Sequence, residues 1–226
     1  MATLLHIDTA GEKAMIAFTQ NGAILASKEN LLSNTHAAFV QAGIKDLADT
    51  YHINLVALDA IVVTMGPGSY TGLRVGLATA KGLAYALEKP LIGLSTLALL
   101  ANAAKRSPEF SALKNLQIFT MIDAKRMEVF GAVFNQAQAI TLKEQAIELS
   151  ADYMNNLVKK GPVLCIGNGA EKVKNIDTDT SVYFSDLTYN LMDFIELAEA
   201  KLNTENFEDI AYSSPAYLKE FYQKKP

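Results

Sequence analysis

Met65-Gly66-Pro67-Gly68-Ser69-Tyr70-Thr71-Gly72-Leu73-Arg74 separates a short apolar run, Leu58–Thr64, from a longer apolar stretch, Leu73–Leu87. The first is the length of a buried strand and is rich in β-branched residues, whereas the second is too long for a strand and reads as a helix. A strand that enters a glycine turn and leaves as a helix is the unit from which α/β folds are assembled. Pro90 closes that helix, and Leu91–Leu94 with Ser95–Ala104 repeats strand, cap and helix.

Working outward, Leu4–Asp8 reads as a buried strand, Thr9–Lys13 as a polar turn and Ala14–Gln20 as a second strand. Asn21-Gly22 is a two-residue hairpin signal, and Ile24–Lys28 returns as a third strand. Ser33, Asn34 and Thr35 offer caps to a helix whose Val40, Ile44, Leu47, Ala48 and Tyr51 fall at helical spacing. Lys105–Asn115 is polar, carries Pro108 and marks the best boundary. Beyond it, Gln117–Asp123 and Glu128–Phe134 read as strands around a charged turn, Lys125-Arg126. Val163–Ile166 then leads into Gly167-Asn168-Gly169 and a short helix, and Tyr189–Leu202 is an amphipathic helix. Both halves run from hairpin strands to strand–helix units. The order suggests a duplicated α/β architecture with lobes at 1–105 and 106–226, the last residues packing back on the first.

Half of the 226 residues are apolar and 19% are charged, enough for a real core and too apolar for a disordered chain. The formal net charge of −4 and the scattering of Lys and Arg, which gather in nothing longer than a pair such as Lys224-Lys225, argue against a free-standing nucleic-acid binder. The single cysteine, Cys165, sits in an apolar strand and reads as core; no disulfide can form within the chain, as in a reducing compartment. With no basic, apolar leader and no run of about 18 apolar residues, the expected location is the cytoplasm, away from membranes.

The glycine loop could cradle a phosphate at a helix start, with Asp8, Thr9, Gly66 and Gly68 as the candidate contacts. It is not a Walker loop, since no Lys follows its last glycine, and Thr71 stands where a dinucleotide fingerprint needs a third glycine. A tight strand-to-helix turn, with Asp8 closing an Asx turn, is the favoured reading, so no cofactor is expected. In the following helix, Gly72, Gly76, Ala80 and Ala84 form a stripe of small side chains that would let another helix approach closely. A glycine inside a helix costs about 1 kcal/mol, so Gly76 and Gly82 each require a packing reason. Either the protein's own sheet or a partner could supply it. His36 has Val40 four residues on, one imidazole where a paired site needs two, and no metal is expected. Asp123, Lys125, Arg126 and Glu128 read as a solvated hairpin tip, and Ser33, Ser69 and Ser95 lack a hydrolase context.

His6-Ile7-Asp8-Thr9-Ala10, the loop from Gly66 to Gly76, Pro90–Leu97, Ile122–Val129, Gly167–Ala170 and Pro215–Leu218 together resemble the TsaB (YeaZ) family over nearly the whole chain. The resemblance implies a two-lobed actin/Hsp70/sugar-kinase-like (ribonuclease H-like, duplicated) fold. It also implies a non-catalytic subunit that binds a paralogous TsaD-like threonylcarbamoyltransferase, joined by a TsaE-like ATPase, in N6-threonylcarbamoylation of adenosine 37 of tRNA. Contact with tRNA would come through the complex, and the chain alone would form a homodimer. The implied interface lies on the helix after the glycine loop and the one before it, with His36, Val40, Gly72, Arg74, Gly76, Thr79, Ala80 and Ala84 as its residues. An older M22 glycoprotease label for such proteins finds no nucleophile–base pair here. Ala10, where many relatives have Ser, and Lys125-Arg126, where relatives tend to read Ala-Arg, depart from the family pattern. The competing reading is an ATPase or kinase-like enzyme of the same superfamily built on Asp8 and the glycine loop.

Overall fold

The computed structural model describes residues 2–31, 36–178 and 180–219, with His36 described by its backbone alone. The caps expected at Ser33, Asn34 and Thr35, the side chain of His36 and the Lys224-Lys225 pair lie outside the described residues. The chain divides into two compact units: Met1–Thr96 with Leu191–Ala216, and Leu97–Asn190 with the chain from Tyr217 on.

The first unit is a five-stranded sheet in the order β3-β2-β1-β4-β5, where β1 is Thr3–Asp8, β2 Ala14–Gln20, β3 Ala23–Asn30, β4 Ala60–Gly66 and β5 Leu91–Ser95. β1 pairs antiparallel with β2 and parallel with β4, and β4 pairs parallel with β5. Asn21 and Gly22 both take positive φ, 48° and 76°, which is the two-residue geometry that matches strand twist and favours this dipeptide. Helix α1 (His36–Thr50) buries Val40, Ile44, Leu47 and Ala48 in a core that also holds Ile7, Ile16, Phe18, Ile61 and Val63. Helix α2 (Tyr70–Leu87) begins three residues earlier than its apolar pattern suggests, because Ser69 serves as N-cap and accepts the Gly72 amide at 3.2 Å. Glu88 ends it in the left-handed conformation before Pro90.

In the second unit the order is β10-β9-β6-β7-β8, with β6 Gln117–Asp123, β7 Glu128–Asn135, β8 Ile140–Glu148, β9 Val163–Ile166 and β10 Val182–Ser185. Replacing each strand of the first sheet by the one five later reproduces this order and every pairing direction. The architecture is therefore a duplicated α/β fold. The helix α3 (Thr96–Ala103) counts from Leu97 on with the second unit, because Leu97, Leu100 and Ala101 share a core with Ile118, Leu164 and Ile166. On the opposite face of that sheet, Phe119, Met121 and Cys165 pack with Met154 and Leu157 of α5 (Ala151–Val158). A five-residue helix, α4 (Pro108–Ala112), lies within the polar Lys105–Asn115 segment. After Asn190 the chain returns to the first unit as α6 (Leu191–Asn203), which buries Phe194, Ile195 and Ala198.

Cys165 is wholly buried and burial pushes its thiol up to about 12, so it behaves as a small hydrophobe. His6, on the central strand, is also fully buried; its Nε2 meets the Thr19 hydroxyl at 2.8 Å and its ring packs edge-on to Phe194. Burial lowers its pKa from 6.5 to about 3. Between those values the unfolded chain takes up a proton that the native chain refuses, so the contribution of His6 to native stability is full above pH 6.5 and is lost on acidification. We expect His6 to account for about 2 kcal/mol of lost stability between pH 6.5 and 5. Denaturant titrations at a series of pH values should show a shallower decline for His6→Leu than for the parent chain.

Candidate functional site

The turn after β1 and the glycine loop after β4 meet at the carboxyl ends of adjacent parallel strands, where α/β sheets commonly bind ligands. Here the chain fills that place itself. The Asp8 carboxylate is buried and its Oδ1 accepts the Ala10 amide at 3.0 Å and the Thr64 hydroxyl at 2.5 Å. Thr9 is buried and donates its hydroxyl to the Gly72 carbonyl at 2.7 Å. The Ser69 amide is taken by the Ala10 carbonyl at 2.7 Å, and the Gly72 and Leu73 amides by Ser69. These are amides that an anion at the helix start would need.

The same contacts explain the glycines. A Cβ added at Gly68 would lie 2.4 Å from the Ala10 carbonyl oxygen, one at Gly72 2.0 Å from that of Thr9, and one at Gly76 2.3 Å from the Thr9 hydroxyl. Gly66 has a φ of 104° and precedes a cis bond to Pro67, a turn that a side chain would strain. Asp8, Thr9, Gly66 and Gly68 are thus brought together, as their sequence positions suggest, but to lock a turn.

The helix stripe requires a correction. Gly72, Gly76, Ala80 and Ala84 are buried in the first unit, the two alanines within its apolar core, and Val40 of α1 lies in the same core. They face the protein's own sheet, since Gly72 and Gly76 rest on Thr9 and Gly76 also approaches Val63. The solvent face of α2 instead carries Arg74, Ala78, Gly82, Tyr85 and Ala86. Arg74 stacks over the Tyr70 ring at 4.0 Å, and Thr79 is half-buried. Among the described residues nothing lies within 4 Å of a Cβ built on Gly82. Ala78, Gly82 and Leu83 form one wall of a groove of about 550 Å³ whose other wall is Ile44, Ala48 and Leu55, with Gln41, Lys45, Asp49 and Thr79 at its polar positions. A larger concavity, about 710 Å³, lies in the second unit among Leu116, Gln117, Val133, Leu142, Tyr153 and Leu157 and includes none of the expected site residues.

Sequence reasoning missed Ala78 because small residues recur every four positions on both faces of α2. Gly82 carried a signal, its helix-breaking cost, but only coordinates show that the chain does not repay it. Among the described residues no three His, Cys, Asp or Glu side chains converge as metal ligands. Nor is any described helix long and apolar enough to cross a membrane.

A family profile described as TsaD: tRNA N6-adenosine threonylcarbamoyltransferase matches residues 28–225. The tRNA threonylcarbamoyladenosine biosynthesis protein TsaB of Escherichia coli K12 is 33% identical over 133 residues, and its Bacillus subtilis 168 namesake is 29% identical over 181 residues. The solved structure described as YeaZ from Pseudomonas aeruginosa superposes with a TM-score of 0.77 at 26% identity, over 96% of this chain and 100% of that one. The chain belongs to the TsaB family. The E. coli match covers 59% of this chain and 55% of that relative, and the B. subtilis match covers 78% and 76%. Against E. coli TsaB, then, the chain spans little more than half of the relative's length.

Within this TsaB-family chain the glycines of α2 divide by cause, and substitution should separate them. Gly72→Ala forces a methyl into a backbone oxygen and should cost at least about 1–3 kcal/mol. Gly82→Ala meets open space and should stabilise the isolated chain by up to about 1 kcal/mol. Thermal and denaturant midpoints of the two variants check both signs.

Proposed function

We propose that this chain is a non-catalytic subunit that docks a TsaD-type threonylcarbamoyltransferase, within an assembly that includes a TsaE-type ATPase and modifies adenosine 37 of tRNA. The names of the relatives support the pathway: the E. coli and B. subtilis relatives are named biosynthesis proteins, and the matching family profile is that of the transferase. The observation that carries the docking reading is Gly82. A mid-helix glycine exposed to solvent, with nothing among the described residues near its missing side chain, is a cost that close approach of another backbone would repay.

The groove between α1 and α2 is where we place the transferase, with Arg74, Ala78, Thr79, Gly82 and Leu83 toward it. The same face serves self-association when the chain is alone. Gly72, Gly76, Ala80, Ala84 and Val40 take part indirectly, by setting how α1 and α2 lie on the sheet. The competing enzyme reading is disfavoured by Asp8, Ser69 and Gly72, whose polar groups are already engaged within the lobe.

Two kinds of substitution test the reading. Ala78→Leu and Gly82→Leu overpack the groove only when a partner fills it, at a typical cost of about 1–3 kcal/mol. At about 1.4 kcal/mol per tenfold, capture of the TsaD-type subunit should weaken about tenfold, while the midpoint of the monomeric chain holds for Ala78→Leu and rises slightly for Gly82→Leu, as for Gly82→Ala. Ala80→Leu should do the reverse, lowering the midpoint because its site is core. Normal capture by both groove variants would overturn the proposed face. Steady ATP turnover by the isolated chain, abolished by Asp8→Ala, would overturn the non-catalytic role.

A further inference from the structure

The hairpin joining β6 to β7 turns at Lys125 and Arg126, and both take left-handed φ, 66° and 49°. For side chains other than glycine that conformation costs about 1–2 kcal/mol per residue, and here it occurs twice in succession. The chain uses the inexpensive solution elsewhere, placing Asn21-Gly22 where two successive positive φ values are needed. Lys125-Arg126 is therefore a costly choice of residues for two successive positive φ values, which Asn and Gly adopt more easily.

The turn is also braced from beneath. The Asp123 Oδ1 accepts the Lys125 amide at 2.6 Å and the Lys172 ammonium at 2.6 Å, and the Asp123 amide donates to Asn168 Oδ1 at 2.8 Å. Lys172, whose side chain is 15% exposed, donates as well to the Glu128 carbonyl at 2.8 Å. Its bond holds the Asp123 carboxyl below the usual carboxylate range. Glu128 is paired with Lys219, and Glu171 with Lys174. Each of these three carboxylates has a salt-bridge partner other than the turn's two cations, although Arg126 adds to the field that lowers the Glu128 carboxyl. Lys125 and Arg126 stand exposed, with no ion-pair partner among the described residues.

A braced tip with two adjacent cations suits an anionic chain laid across it. We infer that Lys125 and Arg126 contact the phosphodiester backbone of RNA, and, resting on the function proposed above, that this RNA is the tRNA substrate. With a net charge of −4 the chain does not hold RNA by itself with high affinity. Two fixed cations would orient an RNA that the assembly already holds.

The test compares Lys125→Asn/Arg126→Gly, which removes both charges and relieves the backbone, with Lys125→Gln/Arg126→Gln, which removes the charges alone. Affinity for tRNA is measured against salt for the assembly with a TsaD-type subunit and, over a low-salt range, for the isolated chain. In both variants the salt slope should fall by about 1–2, the share of two phosphate contacts. Only the Asn-Gly variant should gain in thermal midpoint. A slope and affinity equal to the parent's in both formats would overturn the inference. So would unchanged RNA binding accompanied by loss of the TsaD-type subunit, which would assign the tip to an acidic protein surface. Failure of the parent chain to join any assembly would count against the proposed function, and the isolated-chain slopes would still decide the role of the turn.

Discussion

Thr9 and Gly72 occupy a space that admits no side chain between them, an added Cβ at Gly72 lying 2.0 Å from the Thr9 carbonyl oxygen. That approach brings the start of α2 onto the end of β1, with the Thr9 hydroxyl on the Gly72 carbonyl and the Ala10 carbonyl on the Ser69 amide. It seats the buried side of α2 on the sheet at Gly76, Ala80 and Ala84, and thereby decides which side of the helix is left outside. It also consumes amides that would otherwise make the loop an anion site. One contact accounts for both the closed glycine loop and the presented helix face.

The second unit repeats the device. Asp123 ends β6 as Asp8 ends β1, and each carboxylate accepts the amide two residues on. Gly167 follows β9 as the glycine loop follows β4, and its missing Cβ would fall 2.2 Å from the Met121 carbonyl oxygen. The halves part in what they do next. Thr64 and the loop seal the first turn within the unit, whereas Lys172 and Asn168 brace the second while its two cations stay exposed.

Much of this was legible before coordinates. The Asn21-Gly22 hairpin, the central strands and the strand–glycine–helix order follow from local chemistry, and so does the likeness of the two halves. The strands Ile140–Glu148 and Val182–Ser185 and the eight-residue helix Ala151–Val158 were not, because edge strands carry mixed polar patterns and a helix that short shows little period. The candidate site was legible in its members but not in its direction. Small residues at four-residue spacing mark close approach without saying to what, and on α2 they occur on both sides. Gly72, Gly76, Ala80 and Ala84 answer to the sheet, while Ala78 and Gly82 lie exposed on the groove. The boundary near residue 105 was drawn from polarity, yet Leu97, Leu100 and Ala101 belong by packing to the second core.

The account's central claim is that the outer side of α2 is a protein-binding face. Hydroxyl-radical footprinting of the chain with and without a TsaD-type subunit addresses it at the level of single side chains. Leu83 and Tyr70 should lose reactivity on addition of the subunit, while exposed Ile140, on the outer strand of the second sheet, should not change. A bound subunit that leaves Leu83 and Tyr70 as reactive as in the free chain would contradict it.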